Sequence, residues 1–199
     1  MIRETGNVRE TVCKALGMFS DHDMLEENRT VLMRRYRALR ESKEADLALL
    51  GLTAEVAADL KTLTEFQVER AADAAAPLFN FVLEDQIIRI LSTPQATSMT
   101  RQTGFEAEIR DDALLMLTNR WTSCRQSPVF AGSVLGFSRR MIEAFAAATY
   151  ADVRRVASAG VRPRLCVKPQ YIFHAARNLT MHTGQRTNLA LCNSRYNSF

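Results

Sequence analysis

The sequence predicts an all-α protein made of two tandem copies of one helical unit, folded against each other as an intramolecular pseudo-dimer. Three observations predict it. Apolar residues recur at helical spacing, hydroxyl residues stand where helix N-caps are needed, and the second half repeats the first at a constant offset of 85 residues. At 199 residues the chain is long enough for one ordinary domain or two small ones.

The repeat is read by writing Leu49-Leu50-Gly51-Leu52-Thr53 above Val134-Leu135-Gly136-Phe137-Ser138 and holding the offset. Leu32 then meets Leu117, Arg35 meets Arg120, Tyr36 meets Trp121 and Arg40 meets Arg125. Downstream, Val56 meets Met141, Leu60 meets Phe145, Thr64 meets Thr149, Val68 meets Val153 and Ile87 meets Ile172. Residues 32–93 and 117–178 share 13 identities, where about four are expected from ordinary residue frequencies. A long period with two copies points to a pair of units and not to a solenoid. The expected pieces are an N-terminal helical segment (1–20), an acidic first unit (21–104), a basic second unit (105–178) and a polar tail (179–199).

The elements follow in order. Val8, Val12, Leu16 and Phe19 predict a short amphipathic helix at the N-terminus. Leu25, Leu32, Tyr36 and Leu39 form one helical stripe, and Leu114, Leu117, Trp121 and Cys124 form its counterpart. Leu32, Tyr36, Leu39, Leu117, Trp121 and Cys124 are the expected core of the pseudo-dimer. Glu26-Glu27 and Asp111-Asp112 fall early in these helices, where the helix dipole favours negative charge. Ser42 and Ser127-Pro128 break the pattern. Thr53 and Ser138 can then cap a helix running to about Lys61 or Ala146. Thr64 with Gln67 makes a capping box for the next short helix, and Thr149 with Asp152 makes a looser one. Pro77 and Pro163 close these helices. Leu78 to Leu83 is a strand or an irregular core segment, and Ile87 to Leu91 a last short helix. Asn178–Phe199 reads as a loosely ordered tail, or an arm that folds on a partner.

Two capped short helices joined by a tight turn have helix-turn-helix spacing, and equally suit plain core packing. Charge distinguishes the copies. Residues 1–105 carry 13 Lys+Arg against 16 Asp+Glu, whereas residues 106–199 carry 13 against 6. Arg139, Arg140, Arg154, Arg155, Arg162, Arg164 and Lys168 decorate the second motif. They are the candidate DNA contacts, since phosphate binding needs positive charge gathered on one face. The first motif carries Glu55, Asp59, Glu65, Glu69 and Asp73 and suits DNA poorly. The other use of the same arginines is a solvated face, or pairing with acids of the first copy.

Several classes are excluded or left without support. No apolar run reaches the ~20 residues of a membrane span. Met1-Ile2-Arg3-Glu4-Thr5 offers no apolar signal region, so a cytoplasmic protein is expected. Cys13, Cys124, Cys166 and Cys192 form no CxxC pair and the histidines are isolated, so neither a metal site nor a cofactor is expected. Cys166 suits a buried apolar position or, as the other option, an intermolecular disulfide. No phosphate loop, dinucleotide fingerprint or nucleophile elbow occurs, so neither catalysis nor a small-molecule substrate is expected.

Both copies resemble FlhD, the small subunit of the bacterial FlhD–FlhC activators. The resembling stretches are Leu32-Met33 through Arg40-Glu41-Ser42, Leu50-Gly51-Leu52-Thr53, Leu63-Thr64-Glu65-Phe66-Gln67 and Phe79-Asn80-Phe81. In the second copy they are Leu115-Met116-Leu117-Thr118, Leu135-Gly136-Phe137-Ser138 and Leu165-Cys166. The resemblance covers roughly residues 25–95 and 110–180. It implies an α-helical regulatory subunit that pairs through two copies and contacts DNA as part of a complex with a zinc-bearing FlhC-like subunit, with higher oligomers open. The regulon it implies is flagellar, conjugative-transfer or secretion. The chain departs from the family in being a fusion, and in Ala148-Thr149-Tyr150 where a Leu-Thr pair is usual. The alternative is a protein–protein adaptor or anti-activator that does not bind DNA.

Overall fold

The computed structural model describes residues 20–41, 45–93 and 105–194. The N-terminal helix expected on Val8 to Phe19, the break at Ser42 and the last residues of the tail lie outside them. The described chain is mostly helical. The helices are α1 (Asp21–Glu41), α2 (Leu47–Leu50), α3 (Ala54–Thr62), α4 (Glu65–Ala72), α5 (Glu84–Ser92), α6 (Phe105–Gln126), α7 (Pro128–Ser133), α8 (Arg139–Ala147), α9 (Tyr150–Ser158), α10 (Pro169–Arg177) and α11 (Thr183–Asn193). Two short strands, β1 (Phe79–Asn80) and β2 (Arg164–Leu165), pair antiparallel with Phe79 opposite Leu165 and Asn80 opposite Arg164.

Local chemistry sets these boundaries. Ser20 opens α1: its hydroxyl and the Asp23 carboxylate exchange hydrogen bonds with each other's backbone N–H. Thr53 caps α3 by accepting from the Val56 amide, and Ser138 caps α8 by accepting from the Met141 amide. Thr64 with Gln67 forms the expected capping box on α4. Thr149 with Asp152 forms an equally complete box on α9, tighter than its sequence suggests. The two hydrogen bonds from Thr149 hold the Asp152 carboxyl below its usual range. Asp46 caps α2, and Gly51 ends it in the left-handed region at φ 67°. Gly51 is further constrained by its neighbour. A Cβ there would stand 2.2 Å from the Pro163 carbonyl oxygen.

The 85-residue spacing of the sequence reappears in the elements. The bounds of α3 and α8, of β1 and β2, and of α5 and α10 differ by 85 at both ends. So do the starts of α4 and α9 and the ends of α1 and α6. Gly136 matches Gly51 in sign and size of φ, at 69°.

Packing is interlaced. α1 packs on α3 and α4, and α6 on α8 and α9. Yet α5, from the first half, lies on α8 and α9 of the second, while α10 lies on α3 and α4 of the first. The expected division at residues 104 and 105 therefore does not separate two compact bodies. One core runs through both halves, from Met24 and Leu32 to Tyr171 and Ile172. The strands make the exchange possible. Leu165 N–H donates to Gly51 O (2.9 Å) and Cys166 N–H to Leu78 O (2.8 Å), threading the second half's chain along the first.

The tail departs from expectation. Residues 183–193 form α11, with a capping box built on His182 and Gln185. Arg186, read as part of a polar tail, is buried on it. Composition hid this because the stabilising partners of α11 are distant in sequence: Asp73 and Ala75.

Candidate functional site

The long helices α1 and α6 carry four buried charged groups. Glu27 and Arg35 are eight residues apart on α1, as are Asp112 and Arg120 on α6. Eight residues is a little over two turns, so both groups of a helix point to roughly the same side. Each carboxylate meets the guanidinium of the other helix. Arg120 grips Glu27 with both Nη atoms, at 2.9 and 2.6 Å, and also donates to the Phe79 carbonyl at 3.2 Å. Arg35 binds Asp112, which Arg34 contacts as well, and its Nε donates to Leu50 O at 3.0 Å. All four of Glu27, Arg35, Asp112 and Arg120 are buried. Burial pushes the Asp112 carboxyl up and the Arg35 guanidinium down, and their mutual attraction opposes both shifts.

The sequence pattern casts Glu27 and Asp112 as dipole-favoured helix-start acids. Burial and bidentate or paired arginine contact overturn that for both; their neighbours Glu26 and Asp111 are exposed but also lie beyond the first turn, where the acids are Asp21 and Asp23 on α1 and Glu106 and Glu108 on α6. A sequence signal existed: Glu27 and Asp112 stand at the same offset as Arg35 and Arg120, so an acid and an arginine recur together.

The same reciprocity holds around Tyr36 and Trp121. The Tyr36 hydroxyl donates to Leu63 O at 3.1 Å, and Trp121 Nε1 donates to Ala148 O at 3.0 Å. Arg40 lies over the Tyr36 ring and Arg125 over the Trp121 ring. Of the six residues expected in the central core, Leu32, Tyr36, Leu39, Leu117 and Cys124 are buried and Trp121 is half-buried. Burial pushes the Cys124 thiol up to about 12. Cys166 is buried too, with its thiol against the carbonyls of Pro77 and Leu78 at 3.2 Å each.

The two helix pairs, α3–α4 and α8–α9, are each joined by two residues. Their second helices are largely enclosed, α4 between α1 and α10 and α9 between α6 and α5. On α9 the exposed strip is Tyr150, Ala151 and Arg154. The seven candidate DNA residues divide accordingly. Arg139 and Arg140 stand in solvent at the start of α8, 92% and 74% exposed, where they face Glu143 (2.8 Å) and Asp85 (3.4 Å). Arg154, Arg164 and Lys168 are exposed, and Arg162 is half-buried. Arg155 is turned inward. It donates to Ile90 O at 2.9 Å and pairs with Asp152, with 18% of its side chain exposed. Its counterpart Arg70 similarly donates to Leu179 O at 2.6 Å. Arg155 ties the halves together and is not available to a phosphate without breaking those contacts. Arg164 and Lys168 sit where the chain crosses to the first half, apart in sequence from the α8 and α9 arginines.

Among the described residues no group of histidines, cysteines and acids could hold a metal ion, and no helix is long and apolar enough to cross a membrane. One open groove is lined by Arg29, Met33, Arg34, Arg37, Glu69 and Glu108, with Arg29 paired to Glu69 at 3.0 Å and Arg37 to Glu65 at 2.7 Å. No protein family, curated protein or solved structure compared with the chain matches it.

Proposed function

We propose that the chain is a non-enzymatic subunit of a transcription activator, an FlhD-like pseudo-dimer fused into one polypeptide. The observation that carries this reading is the reciprocal pair Arg120–Glu27 and Arg35–Asp112. In a self-complementary contact between two copies, residue i meets j and j meets i. Buried pairs related by one offset are what a homodimer contact becomes after duplication. Fusion makes the pairing intramolecular, at high effective concentration, and frees each half to diverge.

The halves diverge in charge. DNA contact falls to the second half through Arg139, Arg140 and Arg154, with Arg162, Arg164 and Lys168 adding to the field and Arg155 kept for structure. The partner is an FlhC-like zinc-bearing subunit, and the regulon is flagellar, conjugative-transfer or secretory. The test is promoter binding by the chain co-purified with such a subunit, measured over a range of salt. Replacing Arg139, Arg140 and Arg154 by alanine lowers affinity and makes the slope of log K against log salt shallower by about 0.9 for every phosphate no longer neutralised. An unchanged slope refutes DNA contact by this face.

A second reading, an adaptor or anti-activator that does not bind DNA, draws on the acids already facing Arg139 and Arg140. It predicts no shift of promoter DNA with or without the partner.

A further inference from the structure

Among the described residues the two halves are not equally covered. α11 lies over one end of the α4–α10 pair. Thr183 Oγ1 donates to Asp73 at 2.7 Å, Arg186 pairs with Asp73 at 3.1 Å, and the Ala75 amide donates to Thr187 Oγ1 at 2.9 Å. The chain leaving α11 pairs with the segment after β2, through Lys168 N–H to Asn193 O (3.0 Å) and a bridge between Val167 and Ser194. Beneath this cover Val167, Ala175 and Ala176 are all 0% exposed.

At the 85-residue offset those positions are Val82, Ile90 and Leu91. Val82 is 46% exposed, its neighbour Leu83 is 48% exposed, and Ile90 and Leu91 are half-buried. Among the described residues no helix takes the place of α11 there, and half-buried Ile90 and Leu91 stand where the covered half has buried alanines. Val82 and Leu83 are adjacent and exposed together, and an exposed apolar patch marks an interaction site. Among the described residues the Leu83 amide, counterpart of the Lys168 amide that α11's end satisfies, also meets no acceptor.

We infer that the α5–α9 end, around Val82, Leu83, Ile90 and Leu91, docks an amphipathic helix of a protein partner in the place that α11 takes on the other half. Charge specifies that helix. Asp73, which holds Arg186, corresponds to Ser158; Arg155 is already neutralised by Asp152, while Arg154, one turn before Ser158 on α9, is exposed. A cation at the Arg186 position would find no acid here, so the docked helix carries an acidic residue at that point. The inference rests on the pseudo-two-fold reading and not on DNA contact by the second half.

The probe is a fluorescein-labelled peptide of residues 179–194 with Arg186→Glu and Cys192→Ser, titrated with the full chain by anisotropy. Saturable binding is expected, weakened at least tenfold by Leu83→Asp. The peptide retaining Arg186 binds more weakly than the glutamate peptide. Unchanged far-ultraviolet circular dichroism and urea midpoint establish that Leu83→Asp still folds, as its exposure implies. Absence of saturable binding, binding indifferent to Leu83→Asp, or preference for the arginine peptide overturns the inference. Concentration-dependent dimerisation abolished by Leu83→Asp assigns the face to a second copy and overturns it as well. The pseudo-two-fold reading fails separately, through the Glu27–Arg120 and Asp112–Arg35 coupling energies.

Discussion

Replacing Glu27 by Leu leaves Arg120 charged, buried and without its carboxylate. Arg120 is 0% and Glu27 2% exposed, and the pair is bidentate, so water cannot enter to solvate the orphaned guanidinium without opening the α1–α6 contact. Breaking such a pair from one side costs about 3–5 kcal/mol. With a urea m-value of about 2 kcal/mol/M, a loss of about 4 kcal/mol lowers the midpoint by about 2 M. Removing both charges as Glu27→Leu/Arg120→Met takes away the desolvation cost together with the attraction, which is often close to neutral. Two costs remain, because Arg120 also donates to Phe79 O and Asn119 Nδ2 donates to Glu27, so a buried carbonyl and a half-buried amide each lose a partner worth about 1 kcal/mol. The double variant therefore unfolds about 2 kcal/mol below wild type, and the coupling energy exceeds about 2 kcal/mol. Urea unfolding followed by circular dichroism of wild type, both single variants and the double variant measures it. A Glu27→Leu cost below about 1 kcal/mol, or a coupling below about 0.5 kcal/mol, refutes the reasoning. If the halves are related as proposed, Asp112→Leu and Arg35→Met repeat the pattern, and a coupling confined to one pair refutes the symmetry.

Gly51→Ala and Gly160→Ala separate strain from collision. Both glycines have positive φ, worth about 1–2 kcal/mol against a side chain, but only Gly51 has a backbone oxygen in the Cβ position. Gly51→Ala is expected to be the more destabilising by urea unfolding, and equal losses exclude the close approach to Pro163. Alkylation with iodoacetamide at pH 8, mapped by mass spectrometry, is expected to label exposed Cys192 quickly and to spare buried Cys124 until the protein unfolds; comparable labelling of both in the native state contradicts the burial of Cys124.

Much of the fold was legible because its signals are local. An N-cap needs only a hydroxyl and the amide three residues on, so Thr53, Thr64, Ser138 and Thr149 announce their helices. The helical stripes and the 85-residue period lie in the order of residues alone. The candidate basic surface was legible only in part. Arg139, Arg140 and Arg154 are exposed as charge suggests, but Arg155, the next residue after Arg154 on α9, faces the other way toward carbonyls of α5.

The sequence by itself determined the mainly helical class, the capped helix starts at Thr53, Thr64, Ser138 and Thr149, and the charge difference between halves, since each depends on neighbours a few residues apart or on simple comparison. Only the tertiary structure decided which polar groups are buried together and which helix covers which. Glu27 and Glu26 are indistinguishable as adjacent glutamates, yet one meets Arg120 across 93 residues and the other stands in solvent. The crossing of α5 and α10 between halves, and the cover that α11 places on one of them, depend on contacts between distant segments. Their free energy comes from desolvation and pairing at a distance, and no local pattern records it.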